Sequence, residues 1–151
     1  MQNNIIGRME NLSRLKELEY INLALNNISV IENIEGCESL NKLDLTLNFI
    51  DIEDLEISMM NLKEVHSMRL LYMTGNPCTD WPNYRRYVIA MCPQLTSLDG
   101  TEISHHERIQ CGQALNELSM ELHDLAVEKL RKVEAGEVDV ETTYTKESRI
   151  E

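Results

Sequence analysis

Positive charge, aromatic rings and glycine–proline punctuation are all scarce in this chain. Fourteen Lys and Arg stand against 26 Asp and Glu, a formal net charge of −12. A surface of that sign repels phosphate backbones, which argues against direct nucleic-acid contact unless a partner supplies the basic groups. One Trp, one Phe and five Tyr leave the core to Leu, Ile, Val and Met. No run of about 18 apolar residues occurs, so no segment reads as a membrane span. The start, Met1-Gln2-Asn3-Asn4, lacks the charged-then-apolar pattern of a secretory signal. The expected setting is cytosolic or nuclear.

Catalytic and metal-binding patterns are missing too. Cys37, Cys78, Cys92 and Cys111 form no C-x-x-C pair and fit no zinc spacing, so buried small hydrophobes are expected. His66, His105, His106 and His123 make no H-E-x-x-H, and adjacent His105 and His106 point to different helix faces. No G-x-G-x-x-G, P-loop or G-x-S-x-G is present. The sequence therefore nominates no catalytic residue, no cofactor and no metal ligand. It reads as a non-enzyme.

What is present is a repeat. Asn26 follows Leu18, Ile21 and Leu23 at offsets −8, −5 and −3; Asn48 follows Leu40, Leu43 and Leu45 at the same offsets. Asn76 follows Met68, Leu71 and Met73 likewise. After Asn26 come Ile28, Ile31, Ile34 and Cys37 at +2, +5, +8 and +11, and Asn4 is trailed by Ile6, Met9, Leu12 and Leu15 at those offsets. The asparagines are spaced by 22, 22 and 28 residues, so about six residues are inserted around Asp51–Lys63. This L-x-x-L-x-L-x-x-N pattern is the leucine-rich repeat.

The pattern predicts an α/β fold: a right-handed leucine-rich-repeat solenoid with a parallel sheet on its concave side and short helical or irregular segments on the convex side. Strand alternation turns the last two apolar residues of each motif inward. Asn4, Asn26, Asn48 and Asn76 form a structural ladder whose amides bond backbone groups at the turn. The outward positions make three rows on the concave face: Tyr20, Lys42, Leu70; Asn22, Asp44, Tyr72; Ala24, Thr46, Thr74. Aromatic anchors on a mixed polar surface suit protein recognition. The same tyrosines also suit plain stacking across strands.

Repeats occupy residues 1–103, with a C-terminal cap at about 77–103. The cap is built from Trp81, Tyr84, Tyr87, Val88, Leu95, Leu98 and Asp99; Tyr84, Tyr87, Val88 and Met91 share a helical face, and Gly100 permits the turn out. At the other end Met1 falls on a strand leucine position, so a missing N-terminal segment is expected, with Met9, Leu15, Leu18 and Ile21 near an exposed edge. Ser104-x-x-Glu107 is a capping box that starts one helix over 104–135. Cys111, Leu115, Leu118, Leu122 and Leu125 line its seam, fit for the solenoid's own flank or for a coiled-coil contact with a second copy. Residues 136–151 are polar and aperiodic, and are expected to be disordered.

Two resemblances follow from these residues. The segment N-P…Y-R-x-x-V-I…L-D-G, here Asn76-Pro77, Tyr84-Arg85, Val88-Ile89 and Leu98-Asp99-Gly100, resembles the cap of the outer-arm dynein light chain and of the spliceosomal A-prime protein. More narrowly, Asn22-Leu23-Ala24-Leu25-Asn26-Asn27-Ile28, Glu35-Gly36-Cys37-Glu38 and Leu43-Asp44-Leu45-Thr46 with Asn48-Phe49-Ile50 resemble the tilB family over nearly the whole chain before the tail. That family consists of dynein axonemal assembly factors. The resemblance implies a non-enzymatic adaptor in the cytoplasmic preassembly of dynein arms for motile cilia and flagella. The implied partners are dynein chains or chaperone co-factors, at the cytoplasm, basal body, cilium or flagellum. A stable light-chain-like dynein subunit and a ribonucleoprotein scaffold of the A-prime type are the alternatives.

Overall fold

The computed structural model describes residues 17–34 and 36–134. Asn4, Met9 and Leu15 of the first repeat, and the tail 136–151, lie outside the described residues.

Three short strands, β1 (Tyr20–Asn22), β2 (Lys42–Asp44) and β3 (Leu70–Tyr72), pair in parallel. A fourth, β4 (Ser97–Leu98), adds in parallel to β3, and β5 (Thr101–Glu102) closes the sheet as an antiparallel edge. The register Tyr20↔Lys42↔Leu70 is the one the asparagine spacing dictates, and Ser97 of the cap extends it by one strand. The middle residue of each long strand (Ile21, Leu43, Leu71) is buried and its neighbours face outward. Backbone pairing runs on past the strands: the Leu23 and Leu25 amides donate to Asp44 O and Thr46 O, and those of Leu45 and Leu47 donate to Tyr72 O and Thr74 O.

Each chain segment then turns away through a residue in the left-handed region, namely Leu25 (φ 61°), Leu47 (φ 59°) and Gly75 (φ 83°). That turn strands buried carbonyls, and the next asparagine satisfies them. Asn48 Nδ2 donates to Leu23 O at 2.9 Å and Leu45 O at 3.0 Å, while its Oδ1 accepts from Ile28 N at 3.0 Å. Asn76 repeats the arrangement one step on, donating to Leu45 O (2.9 Å) and Met73 O (2.8 Å) and accepting from Ile50 N (3.0 Å). Asn26 donates to Leu23 O at 2.8 Å. All three are buried.

The insertion is a three-turn helix, α1 (Ile52–Lys63), a longer element than the short segments expected on that side. Asp51 caps it, accepting from Ile52 N, with Glu53 and Asp54 in the first turn and Lys63 in the last, as the helix dipole favours. Leu55, Ser58, Met59 and Leu62 form its buried face. Two polar groups on α1 hold the preceding repeat: Ser58 Oγ accepts from Ile31 N (3.0 Å), and Asn61 Nδ2 donates to Ile31 O (2.8 Å). Gln94 Nε2 covers the far end, donating to Leu62 O at 3.1 Å and Val65 O at 3.2 Å.

The cap follows a 3₁₀ turn at Pro77–Asp80 and centres on α2 (Tyr84–Met91). Trp81, Tyr84, Tyr87, Val88, Leu95 and Leu98 are all buried, as expected. Ile89 is buried as well, whereas Met91, placed on the buried face by its spacing, is only partly covered.

The single helix expected over 104–135 is two helices, α3 (His105–Gln113) and α4 (Leu115–Glu134), broken at Ala114. Ser104 caps α3 through the Glu107 amide at 3.0 Å. The Glu107 carboxylate also reaches sideways to Arg85 (2.9 and 3.0 Å), which ties α3 to α2. The break lets the seam bend around the flank. Cys111, Leu118 and Leu122 are buried, and Leu115 and Leu125 are partly buried against the same core. Because α4 packs on α1 and α2, this seam is occupied within the chain, the flank-packing arrangement of the two expected. Polar clasps fix it: Glu121 accepts from Trp81 Nε1 (2.7 Å) and Asn83 Nδ2 (3.0 Å), and Lys129 pairs with Asp51 and with Glu53 (2.9 Å). Ile21, expected near an exposed edge, is buried.

Replacing Asn48 by Ala leaves the buried Ile28 amide without its acceptor and takes one of two side-chain donors from each of Leu23 O and Leu45 O, so urea unfolding should show a loss of about 2–4 kcal/mol. Asn41→Ala, an exposed amide whose side chain makes a 3.5 Å contact to Ser67 O, should lie within about 0.5 kcal/mol of the parent. Acid should loosen the α2–α3 junction. The Arg85 guanidinium holds Glu107 below its ordinary value of 4.5. A lowered carboxylate stabilises fully above the unfolded value and loses that contribution as pH falls through the folded one. The difference in Tm between the parent and Glu107→Gln should therefore be largest above pH 4.5 and vanish at lower pH. A difference independent of pH would show that the pair does not matter.

Candidate functional site

With the seam and the core spoken for, the outward side of the sheet is what remains. Tyr20, Lys42 and Leu70 lie in one row across β1, β2 and β3, and Asn22, Asp44 and Tyr72 in the next, as expected. Within this open face the side chains cluster. Lys42 sits directly opposite Tyr20 and diagonally across from Tyr72, the two relationships that bring side chains together on a sheet. Its ammonium lies 4.7 Å from the Tyr20 ring centroid and 5.2 Å from that of Tyr72. A lysine held between two ring faces is a cation–π arrangement, worth about 0.5–1 kcal/mol per ring at exposed sites. The offsets placed all three residues, but seeing the sandwich required combining them with the diagonal register.

Tyr20 stays 44% exposed, while Lys42, Leu70 and Tyr72 are half-buried. Two shallow depressions of about 390 and 440 Å³ flank Leu70, which lines both. The first also takes in Glu19, Tyr20, Asn41 and Lys42; the second takes in Tyr72, Ser97, Glu102 and Ile103. Each therefore carries one exposed carboxylate.

The other expected residues divide. Asn22 and Asp44 face outward yet also serve the backbone: Asn22 Oδ1 accepts from Ala24 N (3.0 Å), and Asp44 Oδ1 accepts from Thr46 N (3.0 Å) and Thr46 Oγ1 (2.6 Å). Thr46 is half-buried and Thr74 exposed. Ala24 is corrected: it is 6% exposed and, with a single methyl group, offers a partner almost no surface.

Asp99 was placed in the cap and does more than fill it. It stands in the row of Asn22, Asp44 and Tyr72, one strand further, and accepts from Met73 N and from Tyr84 Oη (2.8 Å). Burial and the neighbouring Asp99 charge push the Tyr84 phenol up, so it stays a donor. Sequence spacing could have found this, since Asp99 follows Leu98 as Tyr72 follows Leu71.

Among the described residues, no group of three or more His, Cys, Asp or Glu is placed to hold a metal ion. The four cysteines are buried and form no disulfide. Burial pushes the Cys92 thiol up to about 12 and Cys78 higher still, which keeps both in the unreactive protonated form. No described helix is long and apolar enough to cross a membrane.

A parallel sheet of short strands, an asparagine ladder and a capped end define the class: a leucine-rich-repeat protein. Comparison with known proteins agrees. A chain of the Drosophila melanogaster SNF/U2A' complex superposes with a TM-score of 0.71 at 26% identity, covering 80% of this chain and 72% of that one. No family model matches. Dynein axonemal assembly factor 11 of Mus musculus is 48% identical over 126 residues, which are 82% of this chain and 26% of the relative. The Danio rerio protein of the same name is 57% identical over 116 residues, 77% of this chain and 26% of the relative. Protein tilB of Drosophila melanogaster is 53% identical over 119 residues, 79% and 29% respectively. Over about four-fifths of its length the chain is thus similar to the tilB, or Dynein axonemal assembly factor 11, family. It spans between a quarter and a third of the length of these relatives.

The Asp44 contacts give a local test. Asp44→Ala should lower stability by about 1 kcal/mol, because the Thr46 amide and hydroxyl lose their acceptor. Asp44→Asn keeps an acceptor oxygen and should melt within a degree or two of the parent. Equal melting of all three would remove the backbone role.

Proposed function

We propose that the open face docks a protein partner during the assembly of axonemal dynein, and that the chain acts as a non-enzymatic adaptor. The observation that carries this is the Tyr20–Lys42–Tyr72 cluster beside Leu70, outward on a rigid sheet. Such a surface has aromatic anchors held at low entropic cost and a polar rim, the anatomy of a recognition site. The family supplies the process, since relatives named as dynein assembly factors share about half of their residues with this chain. The partners proposed are dynein chains or chaperone co-factors, met in the cytoplasm before transport to the cilium or flagellum. A transient factor needs only about micromolar affinity.

The test is capture from an extract of ciliated cells on the immobilised chain. Recovery of axonemal dynein chains together with chaperones is the expected result. Tyr20→Ala combined with Tyr72→Ala should cut recovery by about tenfold or more, the loss of one or two anchors. Circular dichroism must show the fold intact. Undiminished capture by the folded double variant would remove the open face from the mechanism. Recovery of mature axonemal dynein alone favours a stable subunit, and recovery of splicing proteins favours the ribonucleoprotein reading.

A further inference from the structure

Two leucines are exposed where the backbone makes leucine costly. At the residue before Asn26, Asn48 and Asn76 the chain adopts the left-handed conformation. Glycine fills that place at Gly75, as the conformation prefers. At the equivalent places stand Leu25 and Leu47, 36% and 42% exposed. A bulky residue there carries roughly 1–2 kcal/mol of backbone strain. Burial recovers only part of that cost. The Leu47 side chain lies over Gly75, so close that a Cβ on Gly75 would come within 2.4 Å of Leu47 Cδ2. Strain kept at exposed apolar side chains is a mark of function rather than of folding.

Position says what function. The Leu25 and Leu47 amides donate to Thr46 O and Thr74 O, so these residues continue the sheet's pairing just beyond its outward rows. They stand about 4.8 Å apart, one strand spacing. The strip is therefore continuous with the open face. Charge says what occupant. Glu19 and Glu102 are exposed at the two depressions, the cations nearby are engaged within the chain (Lys42 between rings, Arg69 on the His66 and Met68 carbonyls), and the chain carries −12 overall. We infer that Leu25 and Leu47 extend the docking face onto its asparagine edge, and that the occupant is a basic amphipathic segment of a partner protein. Its apolar side chains meet Leu25, Leu47 and Leu70, and its cations meet Glu19 and Glu102. This rests on the open face being a docking surface.

The experiment uses the whole chain and two labelled probes, an amphipathic Leu/Lys peptide and its Leu/Glu counterpart, read by fluorescence anisotropy. The Leu/Lys peptide should bind, more weakly as salt rises, and the Leu/Glu peptide should bind at least about tenfold less well. Leu25→Asn with Leu47→Asn should weaken Leu/Lys binding by about tenfold or more while Tm stays level or rises, since asparagine tolerates the left-handed region. Leu47→Gly, which copies Gly75, should act the same way. Unchanged binding by these variants overturns the strip. A fall in Tm alongside the loss shows that the leucines serve the fold and overturns it equally. Equal or tighter binding of the Leu/Glu peptide, or none of the Leu/Lys peptide, overturns the basic occupant. Tyr20→Ala with Tyr72→Ala separates the two claims: if that variant binds as the parent does and the leucine variants do not, the open-face reading fails and the strip stands.

Discussion

Each repeat must leave its strand sharply, and the turn leaves a carbonyl of one repeat and an amide of its neighbour facing a dry interior. Unpaired, such groups cost about 1–3 kcal/mol each. Asn48 answers with one side chain, donating to Leu23 O and Leu45 O and accepting from Ile28 N. Three properties are needed together: a donor, an acceptor and a short reach. Aspartate cannot donate, and glutamine is a methylene too long. That chemistry fixes the asparagine, and the stacking it enforces fixes which outward side chains share a row. The candidate face is thus a consequence of the ladder.

The end of the stack is made by a residue of a different row. The Met73 amide, equivalent to the Leu23 and Leu45 amides that donate to the Asp44 and Tyr72 carbonyls, donates instead to the Asp99 carboxylate. The groups that meet there are the Met73 amide and the Tyr84 hydroxyl, both donors. An acceptor-only carboxylate suits two donors, and Asp99 occupies the place. Its left-handed backbone (φ 52°) and that of Gly100 (φ 84°) turn the chain into β5, which covers the β4 edge that would otherwise remain open. A carboxylate in the row of Asn22, Asp44 and Tyr72 thereby ends the parallel pairing and anchors the cap.

Residues whose neighbours are set by the repeat period were legible in the sequence. Asn26, Asn48, Asn76 and the buried strand residues fall where the period puts them, and so do Tyr20, Lys42, Leu70 and Tyr72. What escaped depends on contacts the period does not encode. The insertion before Leu70 folds as α1 because Leu55, Ser58, Met59 and Leu62 recur at helical spacing behind an Asp51 cap, a local signal hidden inside a broken repeat. The break at Ala114 is marked in the sequence only by Gly112 two residues before it, a poor helix former that a helix interior can still tolerate. It arises because α3 packs on α2 while α4 must also reach α1. Ala24 has an outward register but too little side chain to use it, which alternation alone does not reveal.

The flank bears on the open face through rigidity. The helices α1, α2 and α4 share the core that backs β2, β3 and β4, and the Glu121 and Lys129 clasps close the layer at two points. Lys129 bridges α4 to the first turn of α1, whose Ser58 and Asn61 grip Ile31 in the preceding repeat. The repeat inserted into, the repeat before it and the terminal helix are therefore linked in one chain of contacts. A docking surface gains affinity when its anchors do not have to be ordered on binding. The Tyr20–Lys42–Tyr72 cluster is held by strands that this layer keeps in register. On the docking role proposed for that face, substitutions in the clasps, far from it, would act on partner binding through the order of the face and not through contact.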